Sequence, residues 1–379
     1  MYEYQKDNKY FAQIAEGIKE AGSRELSELG AVNIRPAYGG LHFSAAHEAL
    51  YRINYSTRLA SRILAPLVSF YCSETDHLYE KAKQINWSDF ISGESTFAVF
   101  GNVSNSAITH SHFASLRLKD AIVDSVRAIT GERPSVDVRN PDIWLNLHIR
   151  ENMAVISLDT SGGSLHRRGY RKDSLSAPMQ ETVAAAIIKY TGWNGDVPLY
   201  DPMCGSGTLL CEAHMAYCNI PCGIFRAHFG FEHLPDYDSS LWADVKTDCD
   251  RRIRALPDGW IAGSDISAEA VRAAESNIQN LPQGEKIKLR VLDFRNITGL
   301  SRGIIVVNPP YGIRMGNRKK LDVLYKSLGD FLKQKCKGST AYLYFGERDF
   351  IKKIGLRPTW KKPLSTGGLE GRLVKYELF

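Results

Sequence analysis

The feature that most narrows the fold is Gly303-Ile304-Ile305-Val306-Val307, an apolar and mostly β-branched run that stops abruptly at Asn308-Pro309-Pro310-Tyr311-Gly312. A strand without polar alternation is buried on both faces, and such strands belong to parallel sheets covered by helices. Two successive prolines then fix φ, remove two amide donors and take the chain out of the ladder in a rigid, extended form. A carboxamide, two carbonyls freed from the ladder and an aromatic ring are thereby presented at a strand end. As a strand terminator with a core tyrosine the stretch needs no ligand. As a holder for a planar group bearing an NH₂ it gives each of those groups a task, and that reading is preferred.

A second strand end carries the matching half. The apolar run Val197–Tyr200 leads into Asp201-Pro202-Met203-Cys204-Gly205-Ser206-Gly207-Thr208, and a helical pattern follows from Thr208 to Tyr217. Two glycines at such a turn admit positive φ and let a ligand approach the backbone closely. The turn lies at the carboxyl end of a strand, where open α/β sheets bind their ligands. No Walker lysine follows it, so a phosphate reading lacks its cation. Further strands are expected at Ile261–Ser264, Leu289–Leu292 and Ala341–Phe345, with helices at Pro178–Tyr190, Ala268–Gln279 and Leu321–Lys333 and a last hairpin from Trp360–Leu364 and Leu373–Phe379. Alternation of this kind predicts an α/β fold.

DPMCGSGT together with NPPYG resembles the cofactor loop and catalytic motif of class I S-adenosylmethionine-dependent amino-methyltransferases. Leu158-Asp159-Thr160-Ser161-Gly162, Leu165-His166-Arg167-Arg168-Gly169-Tyr170-Arg171 and Ala177-Pro178-Met179-Gln180-Glu181-Thr182 narrow this to the THUMP-domain RNA guanine-N2 methyltransferases, over nearly the whole chain. The resemblance implies a class I, Rossmann-like α/β domain of five parallel strands plus a hairpin at 161–379. It also implies a ferredoxin-like domain at 1–58 and a THUMP RNA-binding domain at 59–160. The implied reaction is methylation of a guanine N2 in structured RNA, with 23S ribosomal RNA ahead of transfer RNA. S-adenosylmethionine would be converted to S-adenosylhomocysteine, without a metal.

The implied cofactor residues are Asp201, Pro202, Gly205, Ser206, Gly207, Thr208, Asp265, Ile266, Asp293, Phe294 and Asn308. Asp201 would anchor the loop or meet the cofactor ammonium, and Asp265 would accept from two ribose hydroxyls. The gap from the glycines to Asp265 far exceeds the roughly twenty residues of a dinucleotide fold, which argues against a nicotinamide cofactor. Asp293 would accept from the adenine amine beside the Phe294 ring, although a turn cap is the plainer role for such an aspartate. Asn308, Pro309, Pro310 and Tyr311 form the catalytic set. Arg167, Arg168, Tyr170 and Arg171 are expected to meet RNA, because a basic, glycine-containing, aromatic string suits phosphates and a stacked base, and Arg314 is added because the resemblance implies a contact with the base or a phosphate at its position.

Charge supports an anionic partner for the second half only. Residues 1–164 carry 16 Lys and Arg against 19 Asp and Glu, and the remainder carries 32 against 23. Arg58, Arg62, Arg117 and Lys119 could each touch a phosphate, or simply be solvated. The first 160 residues read as two α+β modules, with a hairpin around Tyr38-Gly39-Gly40 and strands at Ile63–Tyr71, Thr96–Asn102, Ile143–Ile149 and Ala154–Leu158. The amino terminus lacks a signal-peptide core, no apolar run reaches membrane-spanning length, and seven scattered cysteines suit reduced thiols, so a cytoplasmic protein is expected. His214, Cys218, Cys222, His228 and His233 invite a zinc reading, but no paired CxxC knuckle accompanies them. Two other functions share parts of this pattern: a DNA adenine-N6 methyltransferase, which also uses NPPY, and a non-catalytic RNA-binding protein that keeps the fold.

Overall fold

The computed structural model describes residues 1–92, 94–173, 179–311, 318–365 and 370–379. The chain divides into two compact units. One comprises Met1–Ile14, Ser23–Leu165 and Arg226–Asp248, and the other comprises Ala15–Gly22, His166–Phe225 and Cys249–Phe379.

The first unit is an eight-stranded sheet with strands β1 (Lys9–Gln13), β2 (Val32–Ala37), β3 (Gly40–Ser44), β4 (Arg62–Tyr71), β5 (Thr96–Ser104), β6 (Ser135–Val136), β7 (Ile143–Arg150) and β8 (Met153–Asp159). Their order is β2-β3-β1-β4-β8-β7-β5-β6. Because β1 pairs antiparallel with β4, the two α+β modules read from the sequence share one continuous sheet. Along β7 buried and half-buried residues alternate strictly, as a strand with one face on a core must. The helices here are α1 (Glu3–Asp7), α2 (Lys19–Glu28), α3 (His47–Ser56), α4 (Thr75–Lys83) and α5 (Ser111–Thr130), with α2 starting in the other unit. The excursion Arg226–Asp248 belongs to this unit through its rings: Phe231 lies 4.5 Å from Tyr51 and Trp242 lies 5.3 Å from Tyr55, centroid to centroid. Polar spacing hid that role in the sequence.

The second unit follows the alternation expected of it: α6 (Glu181–Thr191), β9 (Leu199–Asp201), α7 (Thr208–Tyr217), α8 (Ser239–Arg251, most of it in the first unit), β10 (Ile261–Asp265), α9 (Ala268–Gln279), β11 (Lys288–Val291), β12 (Ile304–Val307), α10 (Arg318–Lys335), β13 (Thr340–Phe345), β14 (Trp360–Pro363) and β15 (Arg372–Glu377). The sheet order is β11-β10-β9-β12-β13-β15-β14. Strands β9 to β13 run parallel, and β15 enters antiparallel against β13. This is the five-strand-plus-hairpin sheet of a class I methyltransferase. Strand order reverses at β9, which has β10 on one side and β12 on the other, so a crevice opens at the carboxyl ends of these three strands. Ile305, Val306 and Val307 are each no more than 1% exposed, and Ile305 and Val307 share a core cluster with Leu328 and Leu332 of α10. Burying each such side chain contributes about 1.5–3 kcal/mol.

One boundary and three elements differ from expectation. Helix α6 starts at Glu181 rather than Pro178, and Pro178 lies outside the described residues. Helices α1 and α8 and the two-residue β6 were not foreseen, because short or strongly polar elements carry little periodic signal.

Candidate active site

One cavity of about 620 Å³ opens at the switch point. Asp201, Pro202, Gly205, Ser206 and Thr208 form one wall, at the end of β9 and the start of α7. Asp265 and Ile266 follow β10, Asp293 and Phe294 follow β11, and Asn308 to Tyr311 follow β12. Four stretches that lie far apart in sequence thus meet because parallel strands end side by side.

The glycine turn is held from both ends. The Cys204 amide donates to the Ser264 carbonyl at 2.9 Å, and the Gly205 amide donates to Asp265 Oδ2 at 3.0 Å. Gly205 has φ +52° with no heavy atom within 4 Å of where a Cβ would stand, so the backbone there faces open space. Gly207 is not part of the wall; it has φ +79°, and a Cβ on it would stand 3.1 Å from Ala274 Cβ of α9. One glycine leaves room for a ligand and the other lets two helices pack closely.

Asp265 Oδ1 accepts from the Ser267 amide at 2.9 Å. Each of its oxygens therefore keeps a lone pair for another donor. Asp201 is buried, and its Oδ1 accepts from the Met203 amide at 3.0 Å. Burial, helped by the neighbouring Asp265 carboxylate and opposed by the Met203 bond, pushes the Asp201 carboxyl up to about 8. Asp293 is the turn cap that its position allowed: it accepts from the Arg295 amide at 2.9 Å and grips the Arg295 guanidinium, whose hydrogen bond holds the carboxyl below its usual range. Phe294 borders the cavity but is only 4% exposed, its ring edge-on to Phe331 at 5.6 Å. Burial pushes the Cys204 thiol up, which keeps it a neutral filler.

A raised carboxyl has a consequence for stability. A group whose folded pKa exceeds its unfolded one keeps its proton in the fold, so its contribution falls as pH rises from about 4 towards 8. The variant Asp201→Asn is expected to gain melting temperature relative to the unsubstituted protein as pH is raised from 5 to 8. The difference should level off about one unit above the folded value of about 8. Parallel melting curves across the whole range would remove the shift.

At the diproline, Asn308 borders the cavity, and its Oδ1 atom is buried with no hydrogen-bond partner among the described residues. An unmatched buried acceptor costs roughly 1–3 kcal/mol, which a donor arriving in the cavity would offset. Tyr311 lies edge-to-face with Tyr344 at 6.2 Å.

The basic string has a different fate from the one expected. Arg168 and Tyr170 are each only 1% exposed, which corrects the expectation that they meet RNA. Arg168 Nε lies 3.4 Å from Glu212 Oε1, and the Tyr170 hydroxyl donates to the same oxygen at 3.2 Å. Arg171 is also withdrawn from that role: it bonds Glu181 at 2.9 Å, the Met179 carbonyl at 3.2 Å, Ser206 Oγ at 3.4 Å and Thr208 Oγ1 at 3.0 Å. Asn277 of α9, which the sequence did not single out, completes the strap. Its Oδ1 accepts from the Lys172 and Asp173 amides, and its Nδ2 donates to the Asp173 and Ser206 carbonyls. These groups fasten residues 168–173 to the glycine turn. Buried charge in a basic string is invisible without its partners. Arg167 is exposed, and Arg314 lies outside the described residues. Met179, Arg295 and Leu324, also unforeseen, border the cavity.

In the first unit Arg62 is paired with buried Asp159, Arg117 with Asp76 and Lys119 with Asp120. His214 donates to the Pro282 carbonyl at 2.7 Å and meets Cys218 Sγ at 3.4 Å, while burial lowers its pKa. Among the described residues no three His, Cys, Asp or Glu side chains gather as a metal site, and no helix is long and apolar enough to cross a membrane. Two carboxylates, Asp265 and Asp293, the largely protonated Asp201 carboxyl and an orphan carboxamide oxygen make this an acceptor-rich cavity. It suits a cation bearing hydroxyls and amines, and it repels phosphate.

Three family matches cover most of the chain: an RMKL-like methyltransferase domain at residues 168–375, a THUMP domain at 72–159 and an RlmL ferredoxin-like domain at 9–64. A Synechocystis protein named as an RNA methyltransferase is 40% identical over 98% of this chain and 97% of its own length. A ribosomal RNA large subunit methyltransferase K/L from Syntrophotalea carbinolica is 36% identical over 98% of this chain. The chain spans about half of that relative, 53% of its length. Among solved structures, a methyltransferase complexed with SAH superposes with a TM-score of 0.86 at 27% identity, covering 98% of both chains. A Listeria monocytogenes protein described as an N6-adenine-specific DNA methylase gives 0.84 at 27% identity, covering all of this chain and 99% of its own.

Proposed function

This chain belongs to the RMKL-like methyltransferase family, and on that premise we propose that it methylates the exocyclic N2 of a guanine in structured RNA, 23S ribosomal RNA foremost, in the cytoplasm. Residues 161–379 carry out the transfer and residues 1–160 grip the RNA. The observation that carries this reading is the orphan, buried Oδ1 of Asn308, a residue that lines one cavity with Asp201, Asp265 and Asp293. S-adenosylmethionine fits such a wall, being cationic and free of phosphate, and it supplies a methyl on a positively charged sulfur.

Asp265 would accept from the ribose hydroxyls, Asp293 from the adenine amine, and Asp201, whose raised carboxyl would give up its proton beside a cation, would face the ammonium or sulfonium charge. Asn308 Oδ1 takes one hydrogen of the guanine amine. The Pro309 carbonyl takes the second hydrogen, while the Pro310 carbonyl accepts from the Tyr325 hydroxyl. Two acceptors draw the delocalised amine towards tetrahedral geometry and aim its lone pair. S-adenosylmethionine held there would supply a methyl for this lone pair, with the C–S electron pair leaving on sulfur. The amine has then become a cation and loses a proton to solvent, so no strong base is required. Tyr311 stacks on the extruded base, a contact worth roughly 1–3 kcal/mol. Exposed Arg167, together with Arg314, is the remaining candidate for RNA phosphate.

The test is transfer of labelled methyl to protein-free large-subunit rRNA from a strain lacking the gene. Digestion should yield N2-methylguanosine, and RNA affinity should fall steeply with salt as phosphates shed counterions. The shared NPPY motif and the Listeria methylase likeness support a second reading, DNA adenine-N6 methylation, which N6-methyladenine in labelled DNA would establish. Label in transfer RNA would keep the chemistry and reject the ribosomal substrate.

A further inference from the structure

A diproline cannot hold itself in place. Neither Pro309 nor Pro310 has an amide hydrogen, so neither can donate a ladder bond and the diproline can be held only through its carbonyls. Yet amine capture needs the Asn308 side chain and the Pro309 carbonyl in one fixed geometry, because a displacement of about 1 Å can cost a hundredfold in rate. Something outside the motif must supply the restraint.

The structure assigns that role to Tyr325 of α10, as a positioning residue for the amine-binding groups. Its hydroxyl donates to the Pro310 carbonyl at 3.2 Å. The ring is fully buried and cannot swing away: Phe350 stacks on it at 4.4 Å and 4° from parallel, and Phe345 at 5.7 Å and 24°. Burial pushes the phenol up, so it remains a donor throughout the working pH range. The preceding residue, Leu324, borders the cavity, so one turn of α10 both shapes the pocket and restrains the motif. Tyr311 is seated by the same region. A Cβ on Gly346, just past β13, would stand 2.4 Å from Tyr311 Cδ2, so the ring lies against bare backbone there. The base-stacking ring and the Pro310 carbonyl, one residue past the amine-binding Pro309 carbonyl, are therefore registered to one rigid block, formed by the end of β13, the Phe350 turn and α10. No catalytic contact is required of Tyr325 itself.

This inference rests on the methyl-transfer reading above, and Tyr325→Phe tests it. The variant keeps the ring stack and loses only the hydroxyl. Expected is a roughly tenfold fall in single-turnover methyl transfer, the effect of about 1.4 kcal/mol. S-adenosylmethionine affinity, affinity of the SAH-loaded protein for rRNA, and melting temperature should stay close to the unsubstituted values. Tyr325→Leu, which also removes the stack, should lower melting temperature as well as rate. Unchanged transfer by Tyr325→Phe would overturn the assignment. A parallel loss of cofactor affinity and melting temperature in Tyr325→Phe would also overturn it, since the hydroxyl would then be merely structural. If the unsubstituted protein binds the cofactor but methylates no RNA, the underlying reading fails, and the role of Tyr325 with it.

Discussion

Replacing Arg168 by alanine is expected to lower stability by about 3–5 kcal/mol, the usual cost of breaking a buried ion pair from one side. The guanidinium and the Glu212 carboxylate are both fully buried, and Tyr170 donates to the same carboxylate oxygen. Removing the cation leaves that carboxylate desolvated beneath the cofactor turn. Urea unfolding monitored by circular dichroism would measure the loss. Arg167→Ala is the control: its side chain is exposed, and its effect on stability should stay within about 0.5 kcal/mol. The pair of adjacent arginines thus separates a structural role from a surface one. Unchanged stability with lost RNA affinity in Arg168→Ala would contradict the buried geometry.

Asn308→Ala is expected to slow methyl transfer by about a hundredfold or more, as loss of an oriented polar partner at a reacting centre typically does. Cofactor affinity should change little, because the Asn308 oxygen is proposed to meet the substrate amine. Calorimetry with S-adenosylmethionine and single-turnover transfer on the same preparation separate the two effects. Equal losses in binding and rate would make Asn308 a structural residue and remove the basis of the mechanism. Read beside Tyr325→Phe, the result also ranks direct contact against positioning: the acceptor should matter about ten times more than the group that steadies its neighbour.

Much of the second unit was legible because its signals are local. An apolar run without alternation reports burial on both faces whatever packs on it, and β12 emerged at Ile304–Val307 as expected. Proline and glycine act on their own φ, so the exit at Asn308-Pro309-Pro310 and the turn at Gly205-Ser206-Gly207 were visible from residue type. Successive parallel strands then bring their carboxyl ends together, and Asp201, Asp265, Asp293 and Asn308 came to border one cavity.

What residue type could not decide was whether a charge faces water or a partner. Arg168, Tyr170 and Arg171 read as an RNA-binding string, yet their partners Glu212, Glu181, Ser206 and Thr208 lie 10 to 44 residues away in sequence. Asp293 could serve as a cap or a ligand contact, and its grip on Arg295 became visible only in three dimensions. The raised Asp201 carboxyl, the orphan Asn308 oxygen, the Asn277 strap and the Tyr325 anchor likewise depend on burial and on contacts between distant elements. Backbone conformation is set by neighbours along the chain and can be read there. Electrostatic roles are set by neighbours in space, which only the tertiary structure supplies.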